Sequence, residues 1–155
     1  MRFNSLQVKE KTTEYNLPLI AKSIALLSKK YSLVLFYIFG STAKGTRRPL
    51  SDVDCAFLSS KKIDIVRLQN DLEDIFHDDA IDLIDLKTSP PPLSIRIIRD
   101  GKCLFQRSEQ ERVTFETKVT REYQDTSYLR SLALSQVRER LLYASRQRKN
   151  SPASK

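Results

Sequence analysis

The chain has 155 residues, a length that fits one compact domain and leaves no room for a second full-sized one. Apolar residues make up 40% and charged residues 30%, so the chain is too apolar to be disordered throughout. The formal net charge is +8, and the basic excess lies in residues 1–38 and 106–155, whereas the intervening segment is slightly acidic. Basic flanks of this kind fit either an anionic partner or a solvated surface.

The cysteine and histidine content argues against two further classes of site. Cys55 and Cys103 lie far apart in apolar contexts, and His77 is the only histidine, which disfavours both a zinc site and a disulfide framework. The longest apolar run, residues 33–39, is far shorter than the about 18 residues that cross a bilayer. We therefore expect a cytoplasmic protein with no membrane contact.

The first part of the chain predicts one helix followed by two strands. Asn16 is a suitable N-cap and Pro18 suits the first turn of a helix. Gly40 ends a short run that is apolar on both faces, which is typical of a buried strand. In chain order, the expected elements are a helix over 17–31, a strand over 33–39 and a strand over 52–58.

The rest of the chain predicts alternating elements and then a helical end. In order, we expect a helix after Asp64 with Ile65, Leu68, Leu72 and Ile75 on its apolar stripe, a strand over 80–86, a helix over 93–99, a strand over 102–105, and helices over 109–123 and 127–146. Strand, helix and strand in succession form a β-α-β unit, which predicts an α+β or α/β fold with a helical C-terminal region. A single domain should cover 1–145, with its helical part from about 108 and a disordered basic tail over 146–155.

Two acidic residues open the second strand. Asp52 and Asp54 are two positions apart, so their carboxylates should project from the same face of the strand. Neighbouring carboxylates repel each other unless a cation neutralises them, and all-oxygen ligation favours hard ions such as magnesium. Taken alone, however, this pair also fits an ordinary strand start with exposed acids.

A Gly-Ser pair lies between the first two strands. Gly40 and Ser41 could offer backbone N–H groups and a hydroxyl to phosphate oxygens, and Ser41 could equally act as a plain helix N-cap. The full pattern is Gly-Ser, ten residues, and then Asp-x-Asp. Composition alone would produce roughly 0.0015 such matches in a chain of this length, so the combination is specific although each part is weak.

The segments 39–45 and 51–54 resemble the GS(x10)DxD signature of the nucleotidyltransferase superfamily in its minimal (MNT) form. The likeness extends over about residues 17–143. Over this range the chain resembles the MNT antitoxins of HEPN/MNT toxin–antitoxin modules. It implies a small mixed β-sheet of the polymerase-beta-like fold, α+β in class, with a β-α-β core and a helical C-terminal region. Thr42 and Lys44 stand where arginine is common in the family.

The resemblance implies transfer of AMP from ATP to an acceptor hydroxyl at a site with two magnesium ions. Asp52 and Asp54 would then be catalytic and metal-binding. A third carboxylate should come from Asp82 or Asp85, which face opposite sides of a strand, so that only one of them can join the site. The family pattern favours Asp82.

Four residues are expected to bind the nucleotide phosphates: Gly40, Ser41, Lys44 and Arg47. Ser41 would contact the β and γ oxygens, and Gly40 would allow a close approach that a side chain would obstruct. Lys44 and Arg47 could neutralise pyrophosphate, although each could also be merely solvated.

The acceptor implied by the resemblance is a tyrosine of a cognate HEPN ribonuclease, which the chain would neutralise within a hetero-oligomer. The basic, helical C-terminal region favours such a protein acceptor. Two alternatives remain open: a non-catalytic antitoxin that masks the toxin, and a small-molecule nucleotidyltransferase of the aminoglycoside type, whose polycationic substrates suit an acidic pocket better. No RNA-binding motif is evident, so a specific nucleic acid is not expected.

Overall fold

A computed structural model describes residues 15–46 and 51–149, with side chains through Tyr143. In chain order its elements are α1 (Leu17–Tyr31), β1 (Leu33–Ile38), α2 (Gly40–Lys44), β2 (Val53–Ser59), α3 (Ile65–Phe76), β3 (Ile81–Asp85), α4 (Pro91–Asp100), β4 (Lys102–Gln106), α5 (Glu109–Asp125) and α6 (Ser127–Lys149). Each element predicted from the sequence is present, with bounds that differ by a few residues at most.

The four strands form one mixed sheet in the order β3-β2-β1-β4. β1 runs antiparallel to both β2 and β4, whereas β2 and β3 are parallel. Because α3 connects the two parallel strands, β2, α3 and β3 form the predicted β-α-β unit. The α+β class with a mixed sheet is therefore confirmed.

Helices α1 and α3 cover one face of the sheet, called here the α1/α3 face. α1 begins as predicted, because the side chain of Asn16 accepts a hydrogen bond from the backbone N–H of Leu19 at 3.2 Å. On α3 the buried residues are Leu68, Leu72 and Phe76. The predicted stripe was wrong at its start, since Ile65 is the first residue of the helix and stays 44% exposed.

Helices α4 and α5 cover the opposite face, called here the α4/α5 face. Its smaller buried cluster is formed by Val34, Leu35, Tyr37, Ala56, Leu86 and Ile97. Phe115 of α5 packs against that cluster, and the Tyr37 hydroxyl donates a hydrogen bond to Glu116 of α5 at 2.8 Å. Both helices are thereby fixed on the sheet.

Helix α6 is longer than the sequence predicted. It continues to Lys149, so residues 146–149 are helical where a disordered tail was expected, and residues 150–155 lie outside the described part of the chain. No glycine or proline lies between Gly101 and Pro152, which explains the longer helix. In addition, every side chain from 131 to 143 is exposed. None of the helices in the described ranges is long and apolar enough to span a membrane.

Candidate active site

The segments that carry the predicted motif meet at one end of the sheet. β1 ends where its antiparallel neighbour β2 begins, and the backbone N–H of Phe39 donates to the carbonyl of Asp54 at 3.0 Å. β3 begins at the same end because it runs parallel to β2. The Gly-Ser pair after β1 therefore lies next to the acidic start of β2, although ten residues separate them in sequence.

Asp54 projects from the α4/α5 face of the sheet. Its neighbours Val53 and Cys55 are fully buried in the core of the α1/α3 face, and side chains alternate along a strand. Asp82 on β3 is the register partner of Asp54. Because register partners in parallel strands point the same way, Asp82 lies beside Asp54 on this face.

Asp85 lies elsewhere. It is the register partner of Phe57, which is buried in the core of the α1/α3 face. Its side chain accepts a hydrogen bond from the backbone N–H of Lys87 at 2.9 Å, as is typical of an aspartate that stabilises a turn. The structure thus brings Asp82 to Asp54 and keeps Asp85 on the opposite face.

The electrostatics of the site reflect this grouping. Asp54 is half-buried, and burial raises the pKa of its carboxyl, with further contributions from Asp82 and then Asp52. Burial is also the main cause of the raised pKa of the Cys55 thiol, which leaves that cysteine a protonated core residue. Three carboxylates therefore concentrate negative charge that a bound cation would relieve.

The donor atoms of this group suit a hard divalent ion, since Asp52, Asp54 and Asp82 offer carboxylate oxygens and the one nearby sulfur points into the core. Within residues 15–46 and 51–149, however, no three acidic, cysteine or histidine side chains converge closely enough to hold a metal ion. The arrangement is a set of neighbouring carboxylates rather than a formed metal centre.

Residue 40 must be glycine because Asp54 lies directly against it. Its φ angle is +62°, and a Cβ placed on it would lie 2.1 Å from Oδ2 and 2.9 Å from Cγ of Asp54. Any other residue would force the carboxylate away. The close approach at Gly40 is thus made by the carboxylate of Asp54, and the predicted contact of Gly40 with the nucleotide stays a prediction.

The remaining predicted phosphate-binding residues are on or after the short helix α2. Ser41 is half-buried, and Lys44 is exposed at the end of the helix. Thr42 is buried, and its hydroxyl has no hydrogen-bond partner in the described ranges. Arg47 lies outside the described residues, so its predicted role stays a prediction.

Sequence reasoning missed the end of α4, which adjoins the same corner of the sheet. A Cβ on Gly101 would lie 2.4 Å from the carbonyl oxygen of Ile97 and 2.8 Å from that of Ile38, so glycine allows the turn between α4 and β4 to pack against the end of β1. The only signal available was a glycine directly after a helix. Its close approach to β1 could not be read from the chain, because 63 positions separate Ile38 from Gly101.

This packing places charged side chains near α2. Arg99 donates to Asp100 through two hydrogen bonds, of 2.7 Å from Nε and 2.9 Å from Nη2. Arg99 is the main cause of the lowered pKa of Asp100, and Lys44 and Arg96 contribute. Lys44, Arg96 and Arg99 thus lie near the acidic group around Asp54, and these cations suit an anionic ligand.

Known proteins resemble the chain at the level of sequence. The model of a family described as polymerase beta, nucleotidyltransferase, matches residues 21–110. The protein adenylyltransferase MntA of Shewanella oneidensis strain MR-1 is 30% identical over 108 residues, which are 68% of this chain and 76% of MntA.

Solved structures are similar as well. A toxin–antitoxin crystal structure with AMP-PNP has a chain that superposes with a TM-score of 0.66 at 28% identity, covering 76% of this chain and 97% of its own. A second structure contains the tri-AMPylated HEPN toxin of Shewanella oneidensis in complex with MNT antitoxin. Its matching chain has a TM-score of 0.62 at 26% identity and covers 78% of this chain and 98% of its own.

Proposed function

Since this chain belongs to the polymerase beta nucleotidyltransferase family, we propose that it is an antitoxin enzyme that transfers AMP from ATP to a tyrosine hydroxyl of a HEPN ribonuclease toxin. The observation that carries the proposal is the register of β2 and β3, which sets Asp82 beside Asp54, whose carboxylate lies against Gly40. The similarity to MntA and to complexes of an MNT antitoxin with a HEPN toxin supports the choice of nucleotide and acceptor.

Asp52, Asp54 and Asp82 are the catalytic carboxylates in this proposal. Magnesium ions bound by them would neutralise the triphosphate and activate the reacting oxygens. Burial, and after it the charges of Asp82 and Asp52, raises the pKa of Asp54, which supports a cation at this position because such a cation stabilises the ionised carboxylates together.

Gly40, Ser41, Lys44 and Arg47 bind the phosphates. The hydroxyl of Ser41 donates to a phosphate oxygen, and the ammonium of Lys44 neutralises charge on the β and γ phosphates. The basic side chains at the end of α4 support this arrangement, because they raise the positive potential on the same side of the sheet.

In the reaction, the tyrosine oxygen attacks the α-phosphorus and forms the new phosphorus–oxygen bond. The bond from the α-phosphorus to the bridging oxygen breaks, and pyrophosphate leaves with the electron pair. The proton of the tyrosine hydroxyl passes to a carboxylate, for which Asp82 is suited because it is exposed at the edge of the site.

Substitution of Asp52 or Asp54 by Asn tests the proposal directly. Either change removes a charged oxygen from the site while keeping the shape of the side chain, so AMP incorporation should fall to background with the fold intact. The measurement is the mass of a HEPN protein co-expressed with each variant, together with transfer of labelled AMP in magnesium.

Asp85→Asn serves as the matched control for this experiment, because it removes a carboxylate from the opposite face of the sheet. Near-normal transfer by Asp52→Asn or Asp54→Asn would refute the assignment. A tight complex with unmodified toxin would instead favour an antitoxin that masks its partner without catalysis.

A further inference from the structure

Helix α6 carries large apolar side chains that the rest of the chain does not cover. All its side chains from 131 to 143 are exposed, including Leu134 at 70% and Leu141 at 66%. Single exposed apolar residues are ordinary, but a continuous set along one helix is typical of an interaction site.

The apolar residues of α6 lie on two opposite sides of the helix. Leu134, Val137 and Leu141 follow one another at spacings of three and four, which places them on one side. At 100° per residue, Tyr128, Leu132 and Tyr143 fall on the other side. A helix that is apolar on both sides is stable only when other protein surrounds it.

The position of α6 links it to the candidate active site. Near its start, the guanidinium of Arg130 lies 3.7 Å from the ring centre of Tyr123 on α5. Tyr123 belongs to α5, which packs against α4, the helix that ends at Asp100. Arg99 and Asp100 belong to the corner that packs against the end of β1. α6 therefore starts close to the end of the sheet that holds the carboxylates.

The charge of α6 restricts what can cover it. The helix contains six basic residues and one acidic residue, Glu139. Two copies of such a helix would repel each other, whereas an acidic surface would be attracted. Nucleic acid would satisfy the charge but would leave the leucine and valine side chains in water.

We propose that α6 is the docking helix for the acceptor protein, and that the acceptor encloses it with an acidic surface containing apolar contacts on both sides. This proposal rests on the proposed function, because it names the element by which that acceptor is recognised. Because α6 begins directly after α5, which packs on α4, a protein held on α6 would have its tyrosine brought toward the end of the sheet that carries Asp54 and Asp82.

The test uses the full chain and its cognate HEPN protein. In the variant Leu134→Gln/Val137→Gln/Leu141→Gln, one side of α6 becomes polar, while glutamine preserves helix propensity. We expect the complex to weaken at least tenfold in titration calorimetry, with unchanged binding of Mg-ATP. A second variant, Arg138→Glu/Arg140→Glu, should weaken the complex and reduce its salt dependence.

The matched control is Leu19→Gln/Leu26→Gln on α1, where both leucines are comparably exposed, at 61% and 75%. It should leave the complex unchanged, because α1 lies on the other face of the sheet. Wild-type affinity in the triple variant, or no complex with the wild-type chain, would overturn the proposal. Dimerisation or RNA binding that depends on the three apolar residues would overturn it as well.

The two proposals can fail separately. If the wild-type chain binds the HEPN protein through α6 but transfers no AMP, the proposed enzymatic function fails while the docking helix stands. If the triple variant transfers AMP to the HEPN protein as efficiently as the wild type, the docking helix fails and the enzymatic function stands.

Discussion

The two faces of the sheet are used differently. The α1/α3 face carries the larger apolar core, in which even Cys55 is fully buried. The α4/α5 face has a smaller apolar cluster and, at one end, the carboxylates of Asp54 and Asp82. Alternation along β2 therefore lets adjacent residues serve stability and chemistry separately.

The pair Asp82 and Asp85 tests this comparison most severely, because the same residue type occupies both faces of one strand. Asp82→Asn should reduce AMP transfer by on the order of a thousandfold, since it removes several kcal/mol of charge stabilisation from the reaction. Asp85→Asn should change the rate by about twofold at most. Single-turnover transfer of labelled AMP with saturating magnesium and ATP measures both rates.

Equal losses in these two variants would mean that the faces are not divided as described. A larger loss of AMP transfer in Asp85→Asn than in Asp82→Asn would show that Asp85, and not Asp82, is the third carboxylate. The free energy of unfolding of both variants, measured in urea, shows whether a loss of AMP transfer reflects a less stable fold instead.

A substitution in the α1/α3 core should lower stability and leave AMP transfer by the folded protein nearly unchanged, the opposite of what is expected for Asp82→Asn. Leu72 is fully buried on α3, so Leu72→Ala should lower the free energy of unfolding by about 3 kcal/mol. AMP transfer by the remaining folded protein should be close to normal. Urea denaturation gives the stability, and transfer assays well below the melting temperature give the activity.

Leu26→Ala on α1 is the control for Leu72→Ala, because the side chain of Leu26 is 75% exposed and its loss leaves no cavity. A strong effect of Leu72→Ala on the transfer rate of folded protein would show that the two faces are coupled.

Much of this division could be predicted from the sequence. Period-two alternation assigned Asp52 and Asp54 to one face, and the three-residue spacing of Asp82 and Asp85 separated those two. The signature around Gly40 also predicted the family correctly. These features are local, or they follow from strand geometry alone.

Other features depend on contacts between distant segments. The contact of Gly40 with Asp54 and the packing of Gly101 against β1 arise only when the sheet is assembled. The exposure of Leu134 and Val137 was missed for the same reason, since a helical pattern shows apolar spacing but not whether anything covers it.

The smallest expected effect concerns the stability of the site itself. The folded state raises the pKa of Asp54 above its usual value of 3.8, so folding favours its protonated form. This contribution to stability is present at low pH and is lost as pH rises through the raised pKa. At neutral pH the ionised carboxylate therefore destabilises the fold, and Asp54→Asn should be slightly more stable than the wild type.

Urea denaturation from pH 4 to 7 in a chelator measures this difference, which should grow with pH. Magnesium should then stabilise the wild type more than Asp54→Asn, because binding to the folded state alone adds to its stability. In Asp85→Asn, which lacks a carboxylate on the other face, the response to magnesium should match the wild type. A wild type that is more stable than Asp54→Asn throughout this range would mean that Asp54 is neutralised by a partner within the chain, and that the carboxylates need no cation.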